Sequence, residues 1–167
     1  MRRTVLTLAV LAPFVSAMPS CAAVDLPRQD PAACRGQPVI QPLQPLDVVT
    51  PKGRARLMVE FADSDRERAF GLMCRKAVAP DRGMLFDFGT SQPLAFWMRN
   101  TLISLDIIYI KADGRVLSIV RGARPLDEQP LPSGGPARAV LELAAGRAAQ
   151  LGILPGDRII HRIFPAK

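Results

Sequence analysis

Three carboxylates sit inside apolar runs: Glu60 in Leu-Met-Val-Glu-Phe, Asp106 in Leu-Asp-Ile-Ile and Glu142 in Val-Leu-Glu-Leu. A strand that is apolar on both sides of an acid is one covered on both faces, so each carboxylate is drawn away from water. An ionised acid in that setting is costly unless a donor meets it. Arg68, Arg75 and Arg99 are the candidate cations, and backbone amides at the Asn100-Thr101 turn are a second source of donors. Two readings follow: a structural network that locks strands to a helix, or the polar floor of a ligand pocket with acid/base capability. The stretch Phe96-Trp97-Met98-Arg99-Asn100-Thr101 adds an aromatic element. Strand alternation sends Phe96 and Met98 to one face and Trp97 and Arg99 to the other. The single Trp, beside Arg99 and near Asn100, is placed either to stack on a small ligand or to sit at a barrel rim with its indole N–H satisfied. The candidate cluster is therefore Glu60, Arg68, Arg75, Trp97, Arg99, Asn100, Thr101, Asp106 and Glu142.

Other chemistries are poorly served. One His and three Cys leave too few ligands for a His-rich metal site or a zinc ribbon, so neither a metal nor a cofactor is expected. No Gly-x-Gly-x-x-Gly, phosphate loop or Gly-x-Ser-x-Gly occurs. His161, between Ile160 and Arg162, reads as a surface or rim residue of the last strand. Three carboxylates without a His leave glycoside hydrolysis as an alternative, which depends on a carboxyl separation that spacing along the chain does not supply. The net charge of +7 comes from 22 Lys and Arg against 15 Asp and Glu, but the basic residues are scattered and not interleaved with aromatics. A mildly basic solvated surface is expected, with no nucleic-acid partner.

The elements that must position these residues are short. Ala55 to Phe61 alternates like a strand. Ser64 with Glu67 forms a capping box, opening a helix that runs towards Lys76. Pro80-Asp81-Arg82-Gly83 is a turn. Strands are expected at 84–88, 94–99, 105–111, 115–120, 139–143 and 158–164, with Asp113-Gly114 as a hairpin turn. Residues 121–137 contain four Pro and three Gly and read as a long loop, a candidate flap. Residues 144–151 read as a short helix stopped by Gly152. The fold class is α+β, β-rich: a partly closed β-barrel or sandwich of about seven short strands with two short helices.

The amino terminus carries Arg2 and Arg3, then an apolar run from Val5 to Val15 and small residues up to Ala23. Residues 1–23 are expected to be a secretory signal peptide, with cleavage after Ala17 or Ala23 or lipidation at Cys21. Residues 24–52 hold six Pro and read as an arm or linker, within which Val48-Val49 is a candidate start for the first strand. The globular domain is expected over 53–167. An exported chain permits a Cys34–Cys74 bridge, which would close a loop of about 40 residues and stabilise the fold by about 4 kcal/mol. The alternative is an inert Cys74 buried beside Leu72 and Met73.

Several of these stretches, taken in order, resemble domain-of-unknown-function family 192. They are Glu60-Phe-Ala-Asp, Arg68-Ala-Phe-Gly-Leu-Met-Cys-Arg75, Gly83-Met-Leu-Phe86, Phe96-Trp-Met-Arg-Asn-Thr101, Leu105-Asp106, Val140-Leu-Glu-Leu143 with Gly146, and Leu151-Gly-Ile-Leu-Pro-Gly-Asp157. The resemblance spans about 54–163 and implies a compact, β-rich, mostly exported domain with no settled activity. It departs from the family at Ile103-Ser104-Leu105, where a Pro is usual, and at Ala139, where an aromatic is usual. The function expected from the residues is capture of a small envelope ligand in a polar and aromatic cleft. The alternatives are a carboxylate hydrolase and an envelope structural or assembly factor.

Overall fold

The computed structural model describes Cys34, Arg35 and residues 42–165. The expected signal peptide and most of the expected arm, Cys21 included, lie outside the described residues.

Seven strands form one sheet in the order β5-β4-β6-β3-β2-β1-β7. The strands are β1 (Gln44–Thr50), β2 (Gly53–Ala62), β3 (Arg82–Phe96), β4 (Leu105–Ile110), β5 (Val116–Ala123), β6 (Leu131–Ala144) and β7 (Arg158–Ile160). Neighbours are antiparallel except β2 and β3, whose parallel pairing requires the crossover that holds α1 (Asp65–Phe70). The sheet curls until its two outermost strands meet. Arg115, just before β5, bridges Arg158 of β7, and the Val116 N–H donates to the Asp157 carbonyl at 2.8 Å. The β-rich, partly closed barrel expected from the sequence is the fold observed.

Alternation along each strand divides the apolar residues between two faces. The inner cluster draws on all seven strands, with Leu46, Leu57, Leu85, Ile108, Val116, Leu141 and Ile159 among its members. The outer cluster holds Met84, Phe86, Ile107, Tyr109 and Val140, roofed by Leu72 and Met98 from the connections. Gly83 lets β6 pass close to β3: a Cβ there would stand 2.6 Å from the Glu142 carbonyl oxygen. Asp47 is buried in β1, where Arg56 and Arg54 of β2 both bond it. Those hydrogen bonds hold its carboxyl down at about 2, against the opposing effect of burial.

Four expectations need correction. The arm ends earlier than residue 52, because Gln44–Thr50 is strand β1. Its Pro45 is tolerated because β7 pairs only with Asp47 to Val49, leaving Pro45 with one strand neighbour. The expected strands at 84–88 and 94–99 are one strand, β3, which continues past Gly89 with register shifts against β6. The loop at 121–137 shrinks to residues 124–130, since β5 runs to Ala123 and β6 starts at Leu131. Pro132 and Pro136 fit in β6 because β4 pairs only with 139–144, so that end of β6 has β3 alone beside it. The first helix stops at Phe70, six residues long, at Gly71 with φ 48°. Its capping box from Ser64 to Glu67 is present as expected.

Candidate functional site

Strand parity and register decide where each acid goes. Met84 of β3, Glu142 of β6 and Ile107 of β4 stand side by side on the outer face, with Glu60 of β2 next to Met84. Asp106 precedes Ile107 and so faces inward. The three carboxylates therefore do not converge.

Glu60 meets Arg75, whose Nη2 donates to its Oε2 at 2.8 Å. The pair sits beside a small cavity of about 130 Å³ with Leu72 and Gly83. It lies two strands from Glu142, about 10 Å at the usual spacing between strands. Asp106 is a structural acceptor. Its Oδ1 accepts the Gly122 N–H and its Oδ2 the Ala148 N–H, both at 2.9 Å. Ala148 is in the first turn of α2 (Arg147–Leu151), whose N-cap Gly146 has no side chain to offer, so β4 provides the cap from across the fold. Replacing Asp106 with Asn keeps one acceptor and turns an NH₂ towards the other amide. Urea unfolding is expected to show a loss of about 2 kcal/mol with ligand binding unaffected. Wild-type stability in Asp106→Asn would contradict the capping role.

Glu142 is the exception. The residue is 5% exposed, and among the described residues its carboxyl has no hydrogen-bond or ion-pair partner. Burial pushes its pKa up to about 8, so it holds its proton at neutral pH. It forms part of the wall of a cavity of about 320 Å³ on the outer face. Around the cavity stand Phe86, Phe88 and Phe96 of β3, Trp97 just beyond it, Thr101, and the segment from Arg68 to Met73. Phe96 packs edge-on against Phe86 at 5.1 Å and against Tyr109 at 6.1 Å between ring centroids. Gly71 permits the roof: a Cβ there would lie 3.1 Å from the Phe86 ring and 3.9 Å from Glu142 Oε2.

Of the nine expected site residues, Arg68, Trp97, Thr101 and Glu142 share this cavity. Arg68 is engaged through both terminal nitrogens: it donates to the Asp63 and Asp87 carbonyls, pairs with Asp65 and lies 5.5 Å from the Phe88 ring centroid. Trp97 is 49% exposed at the rim, with Arg99 5.7 Å from its ring. Arg99 stays outside the cavity wall. Asn100 is buried at φ 54°, and its carbonyl accepts the Cys74 N–H at 2.9 Å, so it braces the roof. Cys74 is bonded to Cys34, which decides between the two cysteine readings. Phe70, Phe86, Phe88 and Met73 were not among the expected site residues. The period-two spacing of Phe86 and Phe88 was the available signal, but it equally marks core. His161 is buried, not at the surface: it packs on Phe61, and its Nε2 contacts Gln44 Oε1 at 3.0 Å. Its strand ends at Ile160, so His161 lies outside the strand alternation that suggested a surface position.

Two crystal structures share this fold. One, from Sinorhizobium meliloti 1021, is described as a "putative transcription regulator". It is 40% identical with a TM-score of 0.71, over 74% of this chain and 96% of that one. The other, a protein of unknown function from Novosphingobium aromaticivorans DSM 12444, is 40% identical with a TM-score of 0.70, over 81% of this chain and 100% of that one. No curated protein matches the sequence. The family profile of DUF192, described as "Uncharacterized ACR", matches residues 47–161, from the buried Asp47 of β1 to His161 after β7, and thus all of the sheet but the first three residues of β1, with the cavity on its outer face; the chain belongs to the DUF192 family.

Proposed function

We propose that this chain is an exported domain that binds a small molecule in the cavity between β3, β6 and the segment after α1. The observation that carries the reading is Glu142: a buried residue whose carboxyl has no hydrogen-bond or ion-pair partner among the described residues, in the wall of an aromatic-lined cavity of about 320 Å³. A volume near the lower end of the range for ligand sites, mostly apolar walls and a few converging polar groups are the usual properties of such a site. Export is supported by the charged and apolar pattern of residues 1–23 and by the Cys34–Cys74 bridge, which persists in oxidising compartments. Acid/base hydrolysis by paired carboxylates is less well supported, because Glu60 is held by Arg75 and Asp106 faces the other side of the sheet.

Trp97 is the single tryptophan, so its fluorescence reports on the cavity rim directly. A small-molecule screen by thermal shift is expected to yield ligands that also change Trp97 emission. Trp97→Ala should weaken them about tenfold, the worth of one aromatic contact. Ligands that shift the melting temperature equally in Trp97→Ala and wild type would place binding elsewhere.

A further inference from the structure

We propose that the cavity beside Glu142 selects small organic cations, compact alkylammonium groups in particular; this rests on the cavity being a ligand site. Donor supply provides the first argument. Asp47 has Arg54 and Arg56, Glu60 has Arg75, Asp87 has Arg138, and Asp106 has two backbone amides. Among the described residues, Glu142 alone of these buried or half-buried acids has no donor of either kind. Arg68, the cation nearest the cavity, is already taken by Asp65 and two carbonyls. A buried carboxyl of this kind is completed by a positive charge that arrives from outside. The second argument is the wall. Phe86, Phe88, Phe96 and Trp97 surround the space, and aromatic rings attract ammonium groups, more strongly where water is excluded.

Cation capture is then linked to proton release. The empty site holds Glu142 as the acid; an entering quaternary ammonium pairs with the carboxylate, and the carboxyl proton leaves to solvent. The charged and titratable groups around Glu142 are already engaged. Tyr109 of β4 donates to the Leu131 carbonyl and is pushed up to about 12 by burial. Arg68 of the α1 segment is bonded to Asp65 and two carbonyls, Glu60 of β2 is paired with Arg75, and Asp87 of β3 with Arg138. Affinity for a permanent cation should therefore rise about tenfold per pH unit up to about 8 and level off above it.

Choline, 3,3-dimethylbutan-1-ol and 3,3-dimethylbutanoate share a shape and differ in charge, which makes them suitable probes. Calorimetry and Trp97 fluorescence on the full chain should rank choline first. Its affinity should be about fiftyfold higher at pH 8 than at pH 6, with about one proton released at pH 6, whereas binding of the alcohol should not depend on pH. Glu142→Gln should abolish the preference for choline and keep binding of the alcohol. Equal or tighter binding of the alcohol or the carboxylate, or choline binding independent of pH, overturns the cation assignment and leaves the ligand site standing. If none of the three binds and a broad thermal-shift screen is also blank, both readings fall.

Discussion

Replacing Cys34 and Cys74 together with serine will lower the free energy of unfolding by about 4 kcal/mol, the largest single effect expected for this fold. The bridge joins residues 40 apart in sequence, with Cα atoms 5.8 Å apart. The closed loop contains β1, β2 and α1. In the unfolded chain the bridge forbids most arrangements of that loop, and the reduced chain regains them. The folded chain also loses a fixed point near the cavity. Cys74 follows Leu72 and Met73, which stand in the cavity wall, and its own N–H is held by Asn100. Urea unfolding of the double serine variant, compared with the oxidised wild type, measures the difference directly. A loss below about 1 kcal/mol would mean that the loop is already restricted when unfolded, and the entropic account would fail. Binding of a cavity ligand should weaken in parallel, because the wall at Leu72 and Met73 gains freedom.

The strand and turn chemistry was readable where it is local. Ser64 and Glu67 marked the helix start, Asp113-Gly114 the hairpin, and Gly152 the end of α2, because each depends on backbone needs within a few residues. Proline was misleading for the opposite reason. Pro45, Pro132 and Pro136 all sit where a strand has one neighbour at that height, which is a property of the finished sheet and not of the local sequence. The expected count of seven strands matched although its members did not. Joining 84–88 to 94–99 removed one, and β1 added one.

The site was half readable. That embedded acids must find donors held for Glu60 and Asp106, and Arg75 was among the donors named. Their dispersal was hidden because register, not spacing along the chain, sets which face an acid takes: the Asp106–Leu143 and Ile107–Glu142 pairings put two acids of neighbouring strands on opposite faces. Glu142 is the acid whose need goes unmet, and an unmet need has no sequence signature. The alternation around Trp97 held for burial, with Met98 inside and Trp97 and Arg99 outside, although these residues lie beyond the end of β3.

Glu142→Gln will stabilise the protein at and above neutral pH, by about 3 kcal/mol at pH 7, and will change the shape of its pH profile. In wild type the Glu142 carboxyl titrates at about 8 when folded and near 4.5 when unfolded. Below pH 4.5 both states hold the proton and nothing is lost. Between 4.5 and 8 only the unfolded state releases it, so stability falls by about 1.4 kcal/mol per pH unit and then levels off. His161 runs the other way. Burial, with Arg162 beside it, lowers its pKa to about 4, so its contribution is full above 6.5 and is lost as pH falls towards 4. From pH 4.5 to 6.5 the two slopes oppose each other, and the wild-type profile should be nearly flat there. Removing the acid exposes the His161 slope: Glu142→Gln should gain stability steadily from pH 4.5 to 6.5 and hold it to pH 8, where wild type declines. The difference between the two unfolding free energies, measured in urea at half-unit steps, therefore grows with pH across the whole interval. Parallel profiles would mean that Glu142 ionises in the folded state at an ordinary pH, and a carboxyl already charged in the empty cavity would have no proton to exchange for a cation.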